Sequence, residues 1–368
     1  MKKKLVVLFG GKSVESDISV ITAMQALQNL DKYFDTLPIY IDKCGIWWTG
    51  DNLDKVQTFE NFEKNAKNKK QVTLAIGKRI LYEKKRNKFV ANCEVDCVLN
   101  CCHGGGGEGG AIQGYLSECA LAQTSPLQTS SALCMDKCFM KDIFKSNDIT
   151  SPQYVSIKKD DFDSDLKTIT SKIKFPLIVK PANLGSSIGI KVCKNEKELQ
   201  NALDFAFEFD NKILIEKLVE NLKEFNCACF KYRDMLYFSN VCEVTGKGEI
   251  YSFEDKYLSS AAKNKIADKK LSSKIKILTE KIYKLFDCKG VVRVDFLYDE
   301  KNKILYANEI NTIPGSLSFY MFKGTTFKDL LTALIEEAKL DFDKQKSLVK
   351  SFKSDAVKIF AETKIIKK

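Results

Sequence analysis

A single histidine, His103, serves all 368 residues. No Cys-x-x-Cys pair occurs, although the chain carries 13 cysteines. An odd number of thiols without paired spacing fits a reducing cytosol better than a disulfide framework. No run approaches the ~18 apolar residues of a membrane span. The apolar stretch behind the basic N-terminus, Leu5 to Phe9, is too short for a signal peptide. These absences predict a cytoplasmic protein without membrane insertion. A basic–aromatic nucleic-acid module is missing too. The formal charge of +11 comes from lysines spread along the whole chain, so no nucleic-acid partner is expected. Phosphate-bearing small molecules also welcome such a field.

What is present describes a soluble globular protein, with 44% hydrophobic and 29% charged residues. The length allows about two or three domains. Cys93, Cys97, Cys101 and Cys102 lie near His103 and have the composition of a metal cluster. Cys97, Leu99 and Cys101 instead alternate along an apolar strand, where a thiol acts as a small hydrophobe.

The most informative stretch is Gly290 to Ser316. Val291–Tyr298 and Lys303–Asn311 each alternate as strands do, with a turn at Asp299–Asn302. Folding this hairpin about Glu300 to Asn302 puts Arg293, Asp295, Glu309 and Asn311 on one face. Val292, Val294, Phe296 and Ile310 take the other as core. Two carboxylates packed without a counter-charge repel each other and lose hydration. Hard Mg²⁺, which takes oxygen ligands and shares itself with nucleotide phosphates, removes that difficulty. A solvated polar face is the plainer reading of the same pattern.

In chain order, Lys4–Phe9 reads as a strand entering Gly10-Gly11-Lys12-Ser13, then a helix from about Asp17 to Leu30. The tetrapeptide resembles the end of a Walker A loop, but Val6 stands where that loop needs its first glycine. Glu15, at the helix entry, suits the helix dipole or a substrate ammonium equally. Residues 31–95 alternate short strands, such as Thr36–Ile41 and Val72–Ile76, with lysine-rich connections. A strand from Glu94 to Cys102 ends at His103 and six glycines among 104–110, with a helix from Ala111. Gly104, Gly106 and Gly109 satisfy GxGxxG, yet Ser130 lies where an acidic ribose ligand belongs. His103 lies at a strand's carboxyl end, where open α/β sheets place ligands, so structural and binding roles both stand.

A linker at Ser125–Ser131 leads to a helix containing Met135-Asp136-Lys137, and a new domain follows Ser151-Pro152. Phe175–Lys180 is a strand followed by the small-residue loop 181–189, with Lys180 a point charge for phosphates. Asn211–Leu218 is a strand whose end offers backbone groups to an adenine edge, with Glu216, Lys217 and Glu224 nearby. Residues 258–274 read as a mobile lid, and helices are expected at about Lys274–Phe286 and Phe327–Ala338. The tail Asp341–Lys368 alternates lysine with apolar residues as a partly solvated helix would.

Taken in order, GGKSVESDIS, HGGGGEGGAIQGYL, SSALCMDK, KPANLGSSIG, IEKLVENLKEFN, EDKYLS, RVDF and NEINTIPGS resemble the D-alanine–D-alanine ligases of the ATP-grasp fold. The likeness runs from about Lys4 to Ala338. It implies an α/β and α+β chain: a Rossmann-like domain (1–134), an ATP-grasp central subdomain (135–225), a catalytic subdomain with metal site and lid (226–340) and a tail (341–368). It implies that ATP and D-alanine are substrates, that two Mg²⁺ (or Mn²⁺) are cofactors, and that the protein is a homodimer.

By position, Lys137, Lys180 and Lys256 would contact ATP phosphates under the loop holding Ser187, while Glu216, Lys217 and Glu224 face adenine and ribose. Asp295, Glu309 and Asn311 would bind the metals. Glu15 would hold the first D-alanine's ammonium, with His103 near its carboxylate. Glu15, Ser186 and Tyr257 would tie the lid shut, and Arg293 with the Gly315 N–H would serve as oxyanion site. The family commonly has serine and leucine where this chain has Tyr320 and Met321, so D-serine or D-lactate stays open as acceptor beside D-alanine. The lid lacks the family's Pro-Ala pair and has Ser272-Ser273 nearby. Two rivals of other classes are a nicotinamide-dependent oxidoreductase built on GxGxxG and a non-catalytic nucleotide-binding module.

Overall fold

The computed structural model describes residues 3–30, 34–161, 166–244, 265–349 and 351–362. Lys256, Tyr257 and the first part of the expected lid, 258–264, lie outside them.

The chain builds three sheets in succession. In the first, the apolar strand Lys3–Gly10 lies between the parallel strands Thr36–Ile41 and Lys88–Asn100. Buried on both faces, it is as uniformly hydrophobic as such a strand must be. Lys88–Asn100 begins six residues earlier than its apolar half announces. Its first half forms a hairpin with Ile80–Lys85, and its second pairs with the opening strand. The alternation near 88–93 is solvated and escapes an apolar-run search. Cys97 within it and Cys101 just past its end are fully buried, and burial pushes both thiols up to about 12. They are core, as their alternation indicates.

The second sheet is antiparallel, with strands ordered Lys191–Cys193, Leu177–Pro181, Lys212–Lys217 and Tyr154–Lys158. The third centres on Leu222–Tyr232 and Val291–Asp299, with Ile304–Asn311 at one edge. Leu222–Tyr232 runs unbroken across the expected 225/226 junction and belongs wholly to the third sheet.

Four local expectations need correction. Gln128–Met135 is already helical, so the linker is shorter than its Ser/Pro content indicates. The helix expected through Met135-Asp136-Lys137 is two helices. Asp136 breaks them and caps the second, Lys137–Ser146, accepting from the N–H groups of Cys138 and Phe139. The helix expected from Lys274 starts at Lys269, with Asp268 as its cap, and takes in Ser272-Ser273 from the expected lid. The last long helix continues from Phe327 to Lys346. Beyond it Ala356–Glu362 is a helix exposed on all sides.

Candidate active site

A cleft of about 480 Å³ opens between the second and third sheets and the helix Ser16–Leu30. Its walls carry Lys137, Lys180, Ser186, Ser187, Glu216, Lys217 and Glu224 from the middle of the chain. Arg293, Asp295, Glu309, Gly315, Tyr320 and Met321 come from the third sheet and the turn after it. Glu15, His103 and Asn311 stand just behind these walls.

The hairpin supplies the acidic wall. Asp299 pairs with Ile304, so the turn spans four residues, one more than the sequence reading assumed. An unbroken ladder from that turn would place Glu309 opposite Val294, on the core face. A bulge at Asn308 corrects the register: Phe296 faces Ala307, whereas Asp295 faces Glu309 and Arg293 faces Asn311. The four functional residues share a face because of that extra residue. Asn308 joins Glu309 on the cleft wall, and Val292, Val294, Phe296 and Ile310 are buried behind them.

Asp295 is held from three sides. Arg293 grips it with two bonds, Nε to Oδ1 at 2.7 Å and Nη2 to Oδ2 at 2.9 Å. Asn311 donates to Oδ2 at 3.0 Å, and the Asn226 amide nitrogen lies 3.1 Å from Oδ1. The guanidinium therefore already compensates the carboxylate.

Across the cleft Glu216, 1% exposed, is shared by two ammonium groups. Lys180 holds one oxygen and Lys141 the other, the latter at 2.8 Å. Burial pushes Glu216 up, but the two lysines outweigh it and hold the carboxyl at about 2. The strand end is less available to adenine than expected. Lys212–Lys217 is paired on both sides, and the N–H groups of Lys217 and Leu218 already bond Gln153 and Pro176. The Lys217 ammonium points back to the carbonyls of Phe175 (2.7 Å) and Lys174.

The loop after Pro181 crosses the cleft and docks on Glu15. Ser186 Oγ donates to the Glu15 carboxylate, and a Cβ on Gly185 would meet Glu15 Oε2 at 2.6 Å. Gly104 presses on the other side, where a Cβ would meet the same atom at 2.5 Å. Lys137 Nζ donates to Leu184 O at 2.7 Å, fastening the loop's near end. The glycine run thus closes over the protein's own Ser13 and Glu15. It leaves no such approach for a dinucleotide pyrophosphate, which removes the support for the oxidoreductase rival.

His103 is buried behind the cleft wall, against Thr22. It is 4% exposed, its Nε2 is 2.9 Å from Thr22 Oγ1, and the Ile313 carbonyl takes its other side. Burial lowers its pKa to about 4, so the ring is neutral. Thr22 Oγ1 also accepts the Ser316 N–H at 3.0 Å. Glu108 accepts from the N–H groups of Thr312 (3.0 Å) and Ile313 (3.1 Å), and from Gly104. Together His103, Thr22 and Glu108 clamp the backbone on either side of Gly315. Beyond it Ser316, Leu317 and Ser318 are all left-handed, with φ near 50°. Non-glycine residues in that region store strain, and here the clamp holds it. Burial and the Glu15 charge raise Glu108 to about 7.

Residues 4–125 match the family model described as D-ala D-ala ligase N-terminus, and 143–336 the one described as D-ala D-ala ligase C-terminus. The chain belongs to the D-alanine–D-alanine ligase family. The ligase of Thermosipho melanesiensis is 35% identical over 345 residues, 89% of this chain and 91% of that one. The ligase of Caldicellulosiruptor bescii is 34% identical over 370 residues, covering 95% and 98%. Among solved structures, the Helicobacter pylori D-alanine–D-alanine ligase matches with a TM-score of 0.75 at 28% identity, over 95% of this chain and all of that one. The VanG D-Ala:D-Ser ligase of Enterococcus faecalis matches with 0.78, also at 28%, over 92% and 100%. The fold is that of the ATP-grasp ligases. The D-alanine–D-alanine ligase signatures put Glu15, Lys180 and the hairpin within reach of one cleft. Lys141 and Thr22 lie outside them, and Glu108 and Asn308 stand inside them with no role assigned. One signal was there: Lys141 lies three residues from both Cys138 and Phe144, inside the helix's apolar stripe, where a solvated lysine has no business.

Proposed function

We propose that this chain is an ATP-dependent, ADP-forming ligase that joins two D-alanines into D-alanyl-D-alanine for peptidoglycan precursor synthesis. The supporting observation is a lysine-lined wall facing an acidic hairpin in one cleft, in a chain whose residues 4–125 and 143–336 match this family. The oxygen-only set Asp295, Glu309 and Asn311 suits Mg²⁺, with Mn²⁺ as a substitute. Among the described residues no three His, Cys, Asp or Glu side chains form a metal cluster, so phosphate oxygens and water would complete the shell. Bound there, the metal pair supplies neutralisation of the transferring phosphoryl group.

In our reading Lys137 and Lys180, with Lys256 of the lid, hold the phosphates, and Glu216, Lys217 and Glu224 stand around the adenosine. Glu15 retains the ammonium of the first D-alanine while its carboxylate attacks the γ-phosphate and becomes an acyl phosphate. The deprotonated amine of the second D-alanine then attacks the acyl carbon. Arg293, together with the Gly315 N–H, would stabilise the tetrahedral oxyanion, which collapses to the amide as inorganic phosphate leaves. Glu15, Ser186 and Tyr257 keep the lid closed, because water would hydrolyse the acyl phosphate. His103 serves by holding Ile313 in the clamp rather than by touching substrate.

The acceptor pocket supports a second reading. Tyr320 is 55% exposed on the cleft wall beside the buried Met321, and one structural neighbour is a D-Ala:D-Ser ligase. D-Serine, or D-lactate, is therefore the alternative acceptor. We assign the protein to the cytoplasm as a homodimer that inserts into no membrane. No helix among the described residues is long and apolar enough to span one, and every cysteine is free. The test is phosphate release with ATP, Mg²⁺ and D-alanine, alone and with D-serine or D-lactate, with products identified by mass. D-alanyl-D-alanine as sole product supports the first reading, a mixed product the second, and no D-alanine-dependent release overturns both.

A further inference from the structure

Lys141 lies in the buried stripe of the helix Lys137–Ser146, with Cys138, Met140 and Phe144. It is 1% exposed and does not line the cleft. Its ammonium lies 2.8 Å from Glu216 Oε1 and donates to the Ala307 carbonyl at 3.2 Å. The other Glu216 oxygen goes to Lys180, which also reaches Asn308 Oδ1 at 3.4 Å. A fully buried ammonium is costly unless paired, and an uncharged residue of similar length would fill the same space. The two bonds say what the charge does there. Ala307 is the last regularly paired residue before the bulge at Asn308. Glu216 is the carboxylate that would otherwise cancel Lys180, one of the lysines on the cleft wall.

We propose that Lys141 is a positioning residue of the nucleotide–metal site. It takes half of Glu216, so that the two lysines and one carboxylate keep a net positive charge presented to the cleft through Lys180. It also pins the Ala307 carbonyl, so that the bulge turns Glu309 toward Asp295. Burial lowers the Lys141 pKa and the Glu216 charge resists it, while Glu216 raises Lys180 against its own burial; both lysines also sense Glu309. The inference rests on the reading of this cleft as a magnesium–nucleotide site.

The experiment uses the full chain carrying Lys141→Met or Lys141→Gln. ATP affinity is measured by calorimetry with and without Mg²⁺, with KM for ATP and D-alanine and the melting temperature alongside. Lys141→Met is expected to weaken Mg²⁺-ATP binding about tenfold or more and raise KM for ATP. KM for D-alanine should change less than about twofold. Lys141→Gln, which keeps a donor for Ala307, should fall between the two. Adding Glu216→Gln to Lys141→Met restores the net charge and should recover ATP affinity relative to Lys141→Met alone. Should Lys141→Met fail to fold, Lys141→Gln decides on the same constants. A folded variant with ATP and Mg²⁺ affinities within about twofold of the unaltered chain, whatever its melting temperature, makes Lys141 a packing residue only and overturns the proposal. An unaltered chain that binds no Mg²⁺-ATP would instead overturn the reading beneath it.

Discussion

Arg293 has two duties. Two of its five N–H donors go to Asp295, and stabilising an oxyanion calls on the same guanidinium. Arg293→Ala should lower kcat for ADP formation by about 10²-fold or more, the usual loss for an oxyanion donor; near-normal turnover would remove it from the mechanism. Glu108 gives a pH signature. Its folded pKa, about 7, lies above the ordinary 4.5 because of burial and the Glu15 charge. The native state therefore binds the extra proton. That contribution to stability is fully present below 4.5 and is lost as pH rises through about 7. Glu108→Gln, which keeps an acceptor for Thr312 and Ile313, should flatten this part of the melting-temperature profile. An unchanged slope would show that Glu108 titrates normally. Neither residue's partners could be read from the sequence in the same way. Arg293 and Asp295 are two residues apart on one strand, whereas Glu108 and Thr312 are separated by about two hundred, beyond the reach of any local pattern.

At the scale of elements, alternation alone revealed the hairpin, its core face and its polar face. It did not reveal the bulge, because an extra residue in a strand leaves no mark on composition. The sequence reading reached the right parity by assuming a shorter turn, and the longer turn and the bulge compensate. The phosphate loop has a similar hidden dependence. Gly185 has an ordinary φ, so alanine there suffers only the contact with Glu15. Gly185→Ala should lower the melting temperature in the unaltered chain and do so much less in a Glu15→Ala background. Equal losses in both backgrounds would mean that the loop does not dock on Glu15. The helix break at Asp136 was missed for a different reason. The cap bonds use backbone N–H groups that every residue carries, and only the aspartate hints at them.

For the whole molecule, the second and third sheets and the helix Ser16–Leu30 meet at one cleft, and the clamp, the hairpin and the loop all converge there. No described residue of the tail lines it. Leu348, Val349, Phe352 and Val357 are 65%, 91%, 90% and 83% exposed, and the family match ends at 336. Removing residues 351–368 should leave kcat and KM unchanged within about twofold; a larger loss would give the tail a role in catalysis. The order of strands, helices and signatures was enough to recognise the family, since six of the signatures sit at element junctions and RVDF lies inside a strand. The hydrogen bonds that tie distant elements together, Lys180 to Asn308 and Thr312 to Glu108, were not legible, because they join residues far apart in the chain. The account stands on the acidic hairpin as the seat of magnesium, and calorimetric titration with ATP tests that most directly. The unaltered chain should bind ATP about tenfold or more tightly with Mg²⁺ than with a chelator, and that difference should vanish in Asp295→Asn/Glu309→Gln. A Mg²⁺ dependence that survives both substitutions would contradict it.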